Sequence, residues 1–169
     1  MKTIKVELTE SSIDNAIDEL RDYRQGLKDR LKVFVENLVT AGVQVAKLWV
    51  ASGQGDGKNA FVNYLINPSG DIVKAEIFLK GKDAVFVEFG AGIHYNNGNA
   101  HPKAAEFGFG VGTYPGQTHA INPGYWWYRD DGKNLHLSLG TQATMPMYHA
   151  AETIRNNLIY EAIGTLVEG

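Results

Sequence analysis

The sequence predicts an α+β fold, in which an antiparallel β-sheet packs against a long N-terminal amphipathic helix and a C-terminal helix. Three observations lead to this prediction. Apolar residues recur every three or four positions from 13 to 49, short apolar runs separated by turns follow from 61 to 89, and a second helical pattern covers 148–167. Short strands joined by tight turns favour antiparallel pairing. The 169 residues are expected to form a single domain, 1–169.

Composition excludes several classes of function. A net charge of -3 provides no electrostatic basis for binding nucleic acid. The absence of cysteine excludes disulfides, thiolate nucleophiles and cysteine-ligated zinc. No run approaches the ~20 apolar residues of a membrane span, and the alternating N-terminus does not resemble a signal peptide. We therefore expect no membrane association, and a protein made in a cytoplasm or in an assembly built there.

The N-terminal third is expected to be one strand followed by helix. Residues 3–8 alternate polar and apolar, which is typical of a half-buried strand. One unbroken helix over 10–51 would span ~60 Å, and a helix-interior glycine costs ~1 kcal/mol. Gly26 and Gly42 are therefore the candidate break points, and we expect a short helix at 10–24 followed by a longer one at 26–51 packed on the sheet. A coiled-coil partner helix is the alternative, although consistent opposite charges do not flank the seam.

Three strands are predicted after a glycine-containing loop at 52–59. They cover 61–66, 71–79 and 84–89, and the turns between them contain Asn-Pro-Ser-Gly and Gly-Lys-Asp. The last of these strands, Ala84-Val85-Phe86-Val87-Glu88-Phe89, ends at Gly90. A meander of three antiparallel strands is the expected arrangement.

Residues 91–128 are predicted to form an extended loop insertion rich in glycine and aromatic residues. Between Phe89 and Arg129 the only acidic or basic residues are Lys103 and Glu106. Loops of this length tend to be functional or to order on a partner. The aromatic side chains of Tyr125-Trp126-Trp127-Tyr128 are interpreted as lying partly in the protein core and partly in a protein interface. A hairpin turn at 130–133, a strand at 135–139 and the C-terminal helix at 148–167 follow.

No constellation in the sequence favours catalysis. The five histidines lack the spacing of a metalloprotease helix, and the glycines of 108–112 do not match a phosphate-binding fingerprint. Glu88 on its apolar run has Asp83 and Glu106 as conceivable carboxylate partners, but nothing indicates a catalytic pair. We expect a protein that is not an enzyme, with no catalytic residue, no cofactor and no metal.

Three segments resemble a known family. They are Val45-Ala46-Lys47 at the end of the long helix, Phe86-Val87-Glu88-Phe89-Gly90, and a segment that opens the C-terminal helix, Gly140-Thr141 followed by Met145-Pro146-Met147-Tyr148 and Ala150/Ala151. In this order they resemble the siphophage neck and minor tail protein family named after the product of gene ten in phage HK97, also described as tail-completion or head–tail joining proteins. Two features depart from that pattern: residues 91–139 intervene where many members have a short connection, and Pro146-Met147 replaces Pro-Phe.

The resemblance implies a structural virion protein that forms or joins a ring between head and tail. Its expected partners are further copies of itself and other neck or tail proteins, such as a head-completion adaptor, the tail tube or a terminator. It would be located in the host cytoplasm during assembly and then in the virion. The expected assembly interface comprises Glu88, Phe89, Tyr95, Phe107, Phe109, Tyr114, Trp126, Trp127, Met145 and Met147. The alternative function is a carbohydrate- or peptide-binding module that uses the aromatic loop 107–128.

Overall fold

A computed structural model describes residues 3–96, 101–110 and 124–167, and in this part of the chain the fold is α+β, as predicted. Two antiparallel hairpins form two separate two-stranded sheets, and three α-helices accompany them. The elements are α1 (Glu10–Ser52), β1 (Phe61–Ser69), β2 (Ile72–Lys80), α2 (Ala84–Phe89), a 3₁₀ turn (Ala104–Phe107), β3 (Trp126–Arg129), β4 (Leu135–Ser138), α3 (Pro146–Ala162) and a π-helical turn (Ile163–Val167).

Helix α1 is continuous, so the predicted interruption near Gly26, between helices at 10–24 and 26–51, is wrong. The length argument failed because the helix does not have to stay within the folded body. From residue 9 to residue 27, all residues except Ser12 and Ala16 are exposed, and the buried residues of the second half start at Leu38. Gly42 lies inside the packed half, where an added Cβ would be 2.8 Å from Ile154 Cδ1. Glycine there permits close helix packing and does not end the helix.

The core lies where α3 packs antiparallel on the second half of α1. The Trp49 and His149 rings stack with centroids 4.1 Å apart, and twelve residues further along α3 Glu161 Oε2 accepts a hydrogen bond of 3.0 Å from Asn37 Nδ2. Ala46 of α1 is completely buried and Ala150 of α3 nearly so. Small residues on both helices therefore let their axes approach closely.

The β1–β2 hairpin lies along α1 and reaches back toward its N-terminal half. Lys28 Nζ lies 2.7 Å from an Asp71 carboxylate oxygen at the hairpin turn, and Arg24 donates a hydrogen bond to the other oxygen. The hydrogen bonds from Lys28 and then Arg24 hold the pKa of Asp71 below its usual value. β1 is longer than predicted, because pairing continues through Pro68 to the two-residue turn at Gly70, whose φ is +60°. β2 has the predicted length and is shifted by one residue.

Two predicted strands are not strands. Residues 3–8 form no strand, and Ala84–Phe89 is the short helix α2, so the three-stranded meander is wrong. Val87 N donates to Asp83 O and Gly90 N to Phe86 O, at 2.9 and 2.7 Å. A short apolar run has no periodicity that separates a strand from a buried helical turn.

The later elements largely follow the prediction. The hairpin turn follows Asp130 and β4 covers Leu135–Ser138. Residues 126–128, however, lie in strand β3 and not in the predicted loop insertion, and none of the rings of 125–128 is buried. Helix α3 begins at Pro146, two residues before the predicted start, and its last turn is π-helical. Within the predicted insertion 91–128, residues 97–100 and 111–123 lie outside the described residues.

Helix α1 also meets a length-and-composition criterion for crossing a membrane. One 18-residue window has a mean hydropathy of 1.3, and 28% of that window is buried inside the structure. Core helices of soluble proteins meet the same criterion. The expectation of no membrane association stays a prediction.

Substitution of Gly26 by alanine is expected to raise the free energy of unfolding by about 0.5–1 kcal/mol, because glycine disfavours a helix interior. Nothing lies within 4 Å of the position that the new Cβ would occupy. Urea unfolding followed by circular dichroism measures the change. Gly42→Ala is the control, and should show no such gain because its Cβ meets Ile154 and Ile77. A loss of stability in Gly26→Ala would contradict a continuous α1.

Candidate functional site

The two segments that carry most of the resemblance meet at the N-terminal end of α3. Thr144 N donates a hydrogen bond of 2.9 Å to Val87 O, at the last turn of α2. Ala91 and Thr141 exchange two backbone hydrogen bonds of 2.9 and 2.8 Å. The chain before α3 is therefore tied along its length to the chain that leaves α2.

Glu88 caps α3 from a different element. Its Oε2 accepts a hydrogen bond of 2.8 Å from Met147 N, and its Oε1 accepts one of 3.0 Å from Tyr148 N. Pro146, the first residue of α3, has no N–H, and Met145 at the N-cap position makes no side-chain cap. The carboxylate thus satisfies two of the free N–H groups at the helix start, where negative charge is favoured.

His101 completes the hydrogen bonding of Glu88. Its Nε2 lies 3.0 Å from Glu88 Oε1, and its Nδ1 accepts a hydrogen bond of 3.0 Å from Lys103 N. Because a backbone N–H donates to Nδ1, we assign the ring proton to Nε2, which donates to the carboxylate. His101 is 5% exposed and Glu88 8% exposed. The pair is an internal tie between the insertion and α3.

The expectation that Glu88 is an assembly contact is therefore corrected. Both of its oxygens are bonded within the chain and its side chain is buried. Sequence reasoning considered Glu88 on a strand, where side chains alternate between faces, whereas the helical turn of α2 directs this one inward. His101 was considered with the other histidines as a possible metal ligand, and no sequence pattern indicates its hydrogen bond to Glu88.

An aromatic cluster covers this tie on one side. We use this name for Phe89, His101, Phe107, Phe109 and Tyr148. The Phe89 and Phe109 rings stack at 4.3 Å, the Phe89 ring contacts those of His101 and Phe107 at 4.6 and 5.5 Å, and the rings of His101 and Tyr148 meet edge to face at 5.4 Å. Phe107 is 57% exposed, so the cluster reaches the surface. Three predicted interface residues thus lie together.

Tyr148 has a perturbed hydroxyl at the edge of the aromatic cluster. Its hydroxyl donates a hydrogen bond of 3.2 Å to Glu152 Oε1. Desolvation, followed by the Glu152 carboxylate, raises the pKa of the Tyr148 hydroxyl above its usual value. The phenol therefore stays protonated and remains a hydrogen-bond donor at neutral pH.

Asn96 is a second internal tie, which sequence reasoning missed. It is 1% exposed. Its Nδ2 donates to Gly92 O and Thr141 O at 2.8 and 2.9 Å, and its Oδ1 accepts a bond of 2.7 Å from Ala143 N. One side chain thus joins the start of the insertion to the segment before α3. An asparagine in a glycine-rich segment is typical of a turn, so no local signal in the sequence indicates that Asn96 joins these two segments.

The other predicted interface residues are spread over different surfaces. Tyr95 is half-buried, and its ring meets that of His94 edge to face at 4.6 Å. Met147 lines an apolar groove of about 350 Å³ between α1, β2 and α3. Met145 is half-buried with a φ of +54°, and Trp127 on β3 is 58% exposed. Tyr114 lies outside the described residues.

Trp126 lies in a separate cleft. This cleft has a volume of about 310 Å³, and Trp126 and Tyr128 provide aromatic walls beside the charged side chains of Asp56, Lys82 and Asp83. Asp83 Oδ2 accepts a hydrogen bond of 2.9 Å from Asn59 N, which holds one carboxylate in place. Rings beside carboxylates are suited to binding a polar ligand with an apolar face.

The chemistry of the buried site is that of a structural joint. The Glu88 carboxylate and the Asn96 amide hold three segments of chain at the start of α3, and their hydrogen bonds are made within the chain. Across residues 3–96, 101–110 and 124–167, no three histidine or acidic side chains lie where they could hold a metal ion together. Comparison of the chain with protein-family models, curated proteins and solved structures found no match.

Proposed function

We propose that this protein is a non-enzymatic virion component of a siphophage neck, acting in tail completion or head–tail joining. Its partners would be further copies of itself in a ring and the adjoining head-completion or tail proteins. It would act in the host cytoplasm during assembly and remain in the virion afterwards. The proposal combines the sequence resemblance with the surface properties of the folded chain.

The observation that carries the proposal is the number of large apolar side chains that the described residues leave exposed. Large apolar side chains that are at least 40% exposed occur on α1, on both hairpins and on α3. Trp127, Ile159 and Tyr160 are 58, 70 and 80% exposed. In contrast, the buried apolar side chains in the described ranges are those of alanine, valine, leucine and Pro146. Exposed apolar surface on this scale is typical of a subunit that partners cover.

The packing of the three resembling segments also supports the proposal. Ala46, in the first segment, is completely buried in α1. The second and third segments are joined through Val87, Glu88 and Thr144. The second and third segments therefore form one structural unit, which is what a shared fold requires of them.

The aromatic cluster is the proposed contact surface for a neighbouring subunit. Head-to-tail contacts of this kind close into rings, and aromatic side chains are enriched at the centres of protein interfaces. The Glu88 and Asn96 ties hold the cluster on rigid backbone. Preorganised side chains lose less conformational entropy on binding.

Phe107→Ser is expected to reduce the joining of heads to tails by at least tenfold without unfolding the protein, because the ring is 57% exposed and its loss removes an aromatic anchor. The measurement is the yield of infectious particles when the variant complements a phage that lacks the gene. Phe61→Ser is the matched control, since Phe61 is 53% exposed on β1, away from the cluster. Equal loss in both variants would place the contact elsewhere.

Deletion of the gene tests the function itself. We expect filled heads and separate tails by electron microscopy, and the protein should be found by mass spectrometry in purified complete particles. Intact particles at normal titre, or complete particles without the protein, would overturn the proposal.

The second candidate is a carbohydrate- or peptide-binding module in the aromatic loop 107–128. The observation that favours it is the cleft in which Trp126 and Tyr128 lie beside Asp56 and Asp83. Binding on a glycan array that Trp126→Ala abolishes, together with unchanged head–tail joining, would favour this candidate over the first.

A further inference from the structure

The N-terminal half of α1 carries an apolar seam that its own chain leaves exposed. Ile13, Ile17, Leu20 and Leu27 are 42, 41, 56 and 41% exposed. The same helix face continues into Leu38, which is 6% exposed in the core. The seam is thus covered by α3 and the β1–β2 hairpin in its second half and is uncovered in its first half.

The spacing of this seam is that of a coiled coil. Its positions follow one another at intervals of four and three along Ile13, Ile17, Leu20, Arg24, Leu27 and Leu31. An alternation of four and three is a seven-residue repeat, and two helices with such a seam wrap around each other. The expected partner is therefore another helix with the same repeat.

Charge identifies that partner as a second copy in the opposite direction. Residues 10–22 contain five acidic side chains and one basic side chain, whereas residues 23–33 contain four basic and one acidic. A parallel pair would place acidic on acidic and basic on basic. An antiparallel pair places the acidic half of each copy beside the basic half of the other, which favours association and sets direction.

We propose that residues 10–31 of α1 pair with the same segment of a second copy as an antiparallel two-stranded coiled coil. In the register that matches all seam positions, Ile13 faces Leu31 of the partner, Ile17 faces Leu27 and Leu20 faces Arg24. The two-fold axis then passes beside residue 22. The seam contains six layers, each formed by one seam residue from each copy.

A groove on the surface receives the partner's N-terminal end. It has a volume of about 290 Å³ and is lined by Arg24, Leu27, Lys28, Leu31 and Asp71. The register places Ile13 and Ile17 of the second copy at this groove. Because Asp71 binds both Arg24 and Lys28, the aliphatic stem of Arg24 is free to pack under Leu20 of the partner. The seam has only six layers of side chains, and the two central layers contain the charged Arg24. We therefore expect a pair that dissociates reversibly.

This pair lies outside the proposed neck function and does not depend on it. A two-fold contact uses the same patch on both copies and is closed, so it does not extend into a ring. The pair is a form of the free subunit, and it hides an apolar seam that would otherwise face water.

Analytical ultracentrifugation over a range of concentrations tests the pairing. The mass of the wild-type protein should rise from 18.6 kDa toward twice that value, and pairing should weaken as salt rises. Ile17→Gln should weaken it at least tenfold with an unchanged circular dichroism spectrum. Asn15→Gln, on the opposite side of α1, should pair like the wild type. A wild-type mass that stays at that of one chain, or an association that Ile17→Gln leaves unchanged, would overturn the proposal.

Disulfide trapping tests the direction. The chain contains no cysteine, so single cysteines can be introduced without a background. An equal mixture of Ile17→Cys and Leu27→Cys should form the mixed disulfide, while Ile17→Cys alone should not cross-link. Asp22→Cys, which points away from the seam, is the negative control. Rapid cross-linking of Ile17→Cys to itself would show a parallel pair and overturn the antiparallel arrangement.

Discussion

Asn96→Asp should lower the free energy of unfolding by about 4 kcal/mol at neutral pH, because it places a charged group without compensation in a buried site. The substitution changes almost no volume. In the wild type, Asn96 Nδ2 donates to the carbonyl oxygens of Gly92 and Thr141. In the variant, a carboxylate oxygen faces those two carbonyls, so two hydrogen bonds become repulsive contacts. Urea unfolding of both proteins measures the difference.

The same variant has a pH dependence of known sign. Burial and the facing carbonyls raise the folded-state pKa of the new carboxyl above its unfolded value. The loss of stability relative to the wild type is therefore largest above the folded-state pKa of the new carboxyl. It diminishes as pH falls through that pKa, since the neutral acid can donate one hydrogen bond. The stability gap to the wild type should narrow on acidification.

Asn63→Asp provides the control for this result. Asn63 is exposed on β1 and its Oδ1 accepts a hydrogen bond from Tyr64 N. Its replacement should change stability by less than about 0.5 kcal/mol, as is usual at the surface. A similar small change in Asn96→Asp would show that Asn96 does not tie the two segments together.

Glu88→Ala is expected to lower the free energy of unfolding by about 3–5 kcal/mol, because the change leaves three donors without their acceptor. These donors are Met147 N and Tyr148 N at the start of α3, and His101 Nε2. The change also removes negative charge from the positive end of the helix. Chemical denaturation measures the total loss of stability. Faster hydrogen exchange at the first amides of α3 would locate that loss at the start of the helix.

Two further variants separate the contributions at Glu88. Glu88→Gln retains the size and one acceptor oxygen, and should cost about half as much as the alanine change. Glu106→Ala removes an exposed carboxylate 3.9 Å from Lys103 Nζ, and such surface pairs contribute ~0–1 kcal/mol. A loss in Glu88→Ala no larger than in Glu106→Ala would contradict the capping role.

Local pattern was sufficient for the elements with a long repeat or a clear turn. The apolar spacing from Ile13 to Trp49 indicated α1, the turn at Gly70 indicated the first hairpin, and Pro146 marked the start of α3. These signals are properties of neighbouring residues, so they survive without knowledge of the rest of the chain. The continuity of α1 was misjudged because its exposed first half extends beyond the folded body, so the size of the domain does not limit its length.

The candidate site was only partly predictable. The aromatic residues Phe89, Phe107 and Phe109 were expected at an interface, and they do lie together. Asn96 and His101 were missed in their structural role, because each acts on residues more than ten positions away. A hydrogen bond across such a separation leaves no periodicity in the sequence.

By itself the sequence determined the α+β class, the long amphipathic helix, the hairpins and the absence of cysteine chemistry, since each depends on composition or on near neighbours. Only the tertiary structure decided that Ala84–Phe89 is a helical turn and that Glu88 points inward to cap α3. A six-residue apolar run is compatible with strand or helix, and its conformation was settled by distant partners that its backbone and carboxylate bind, Thr144 among them.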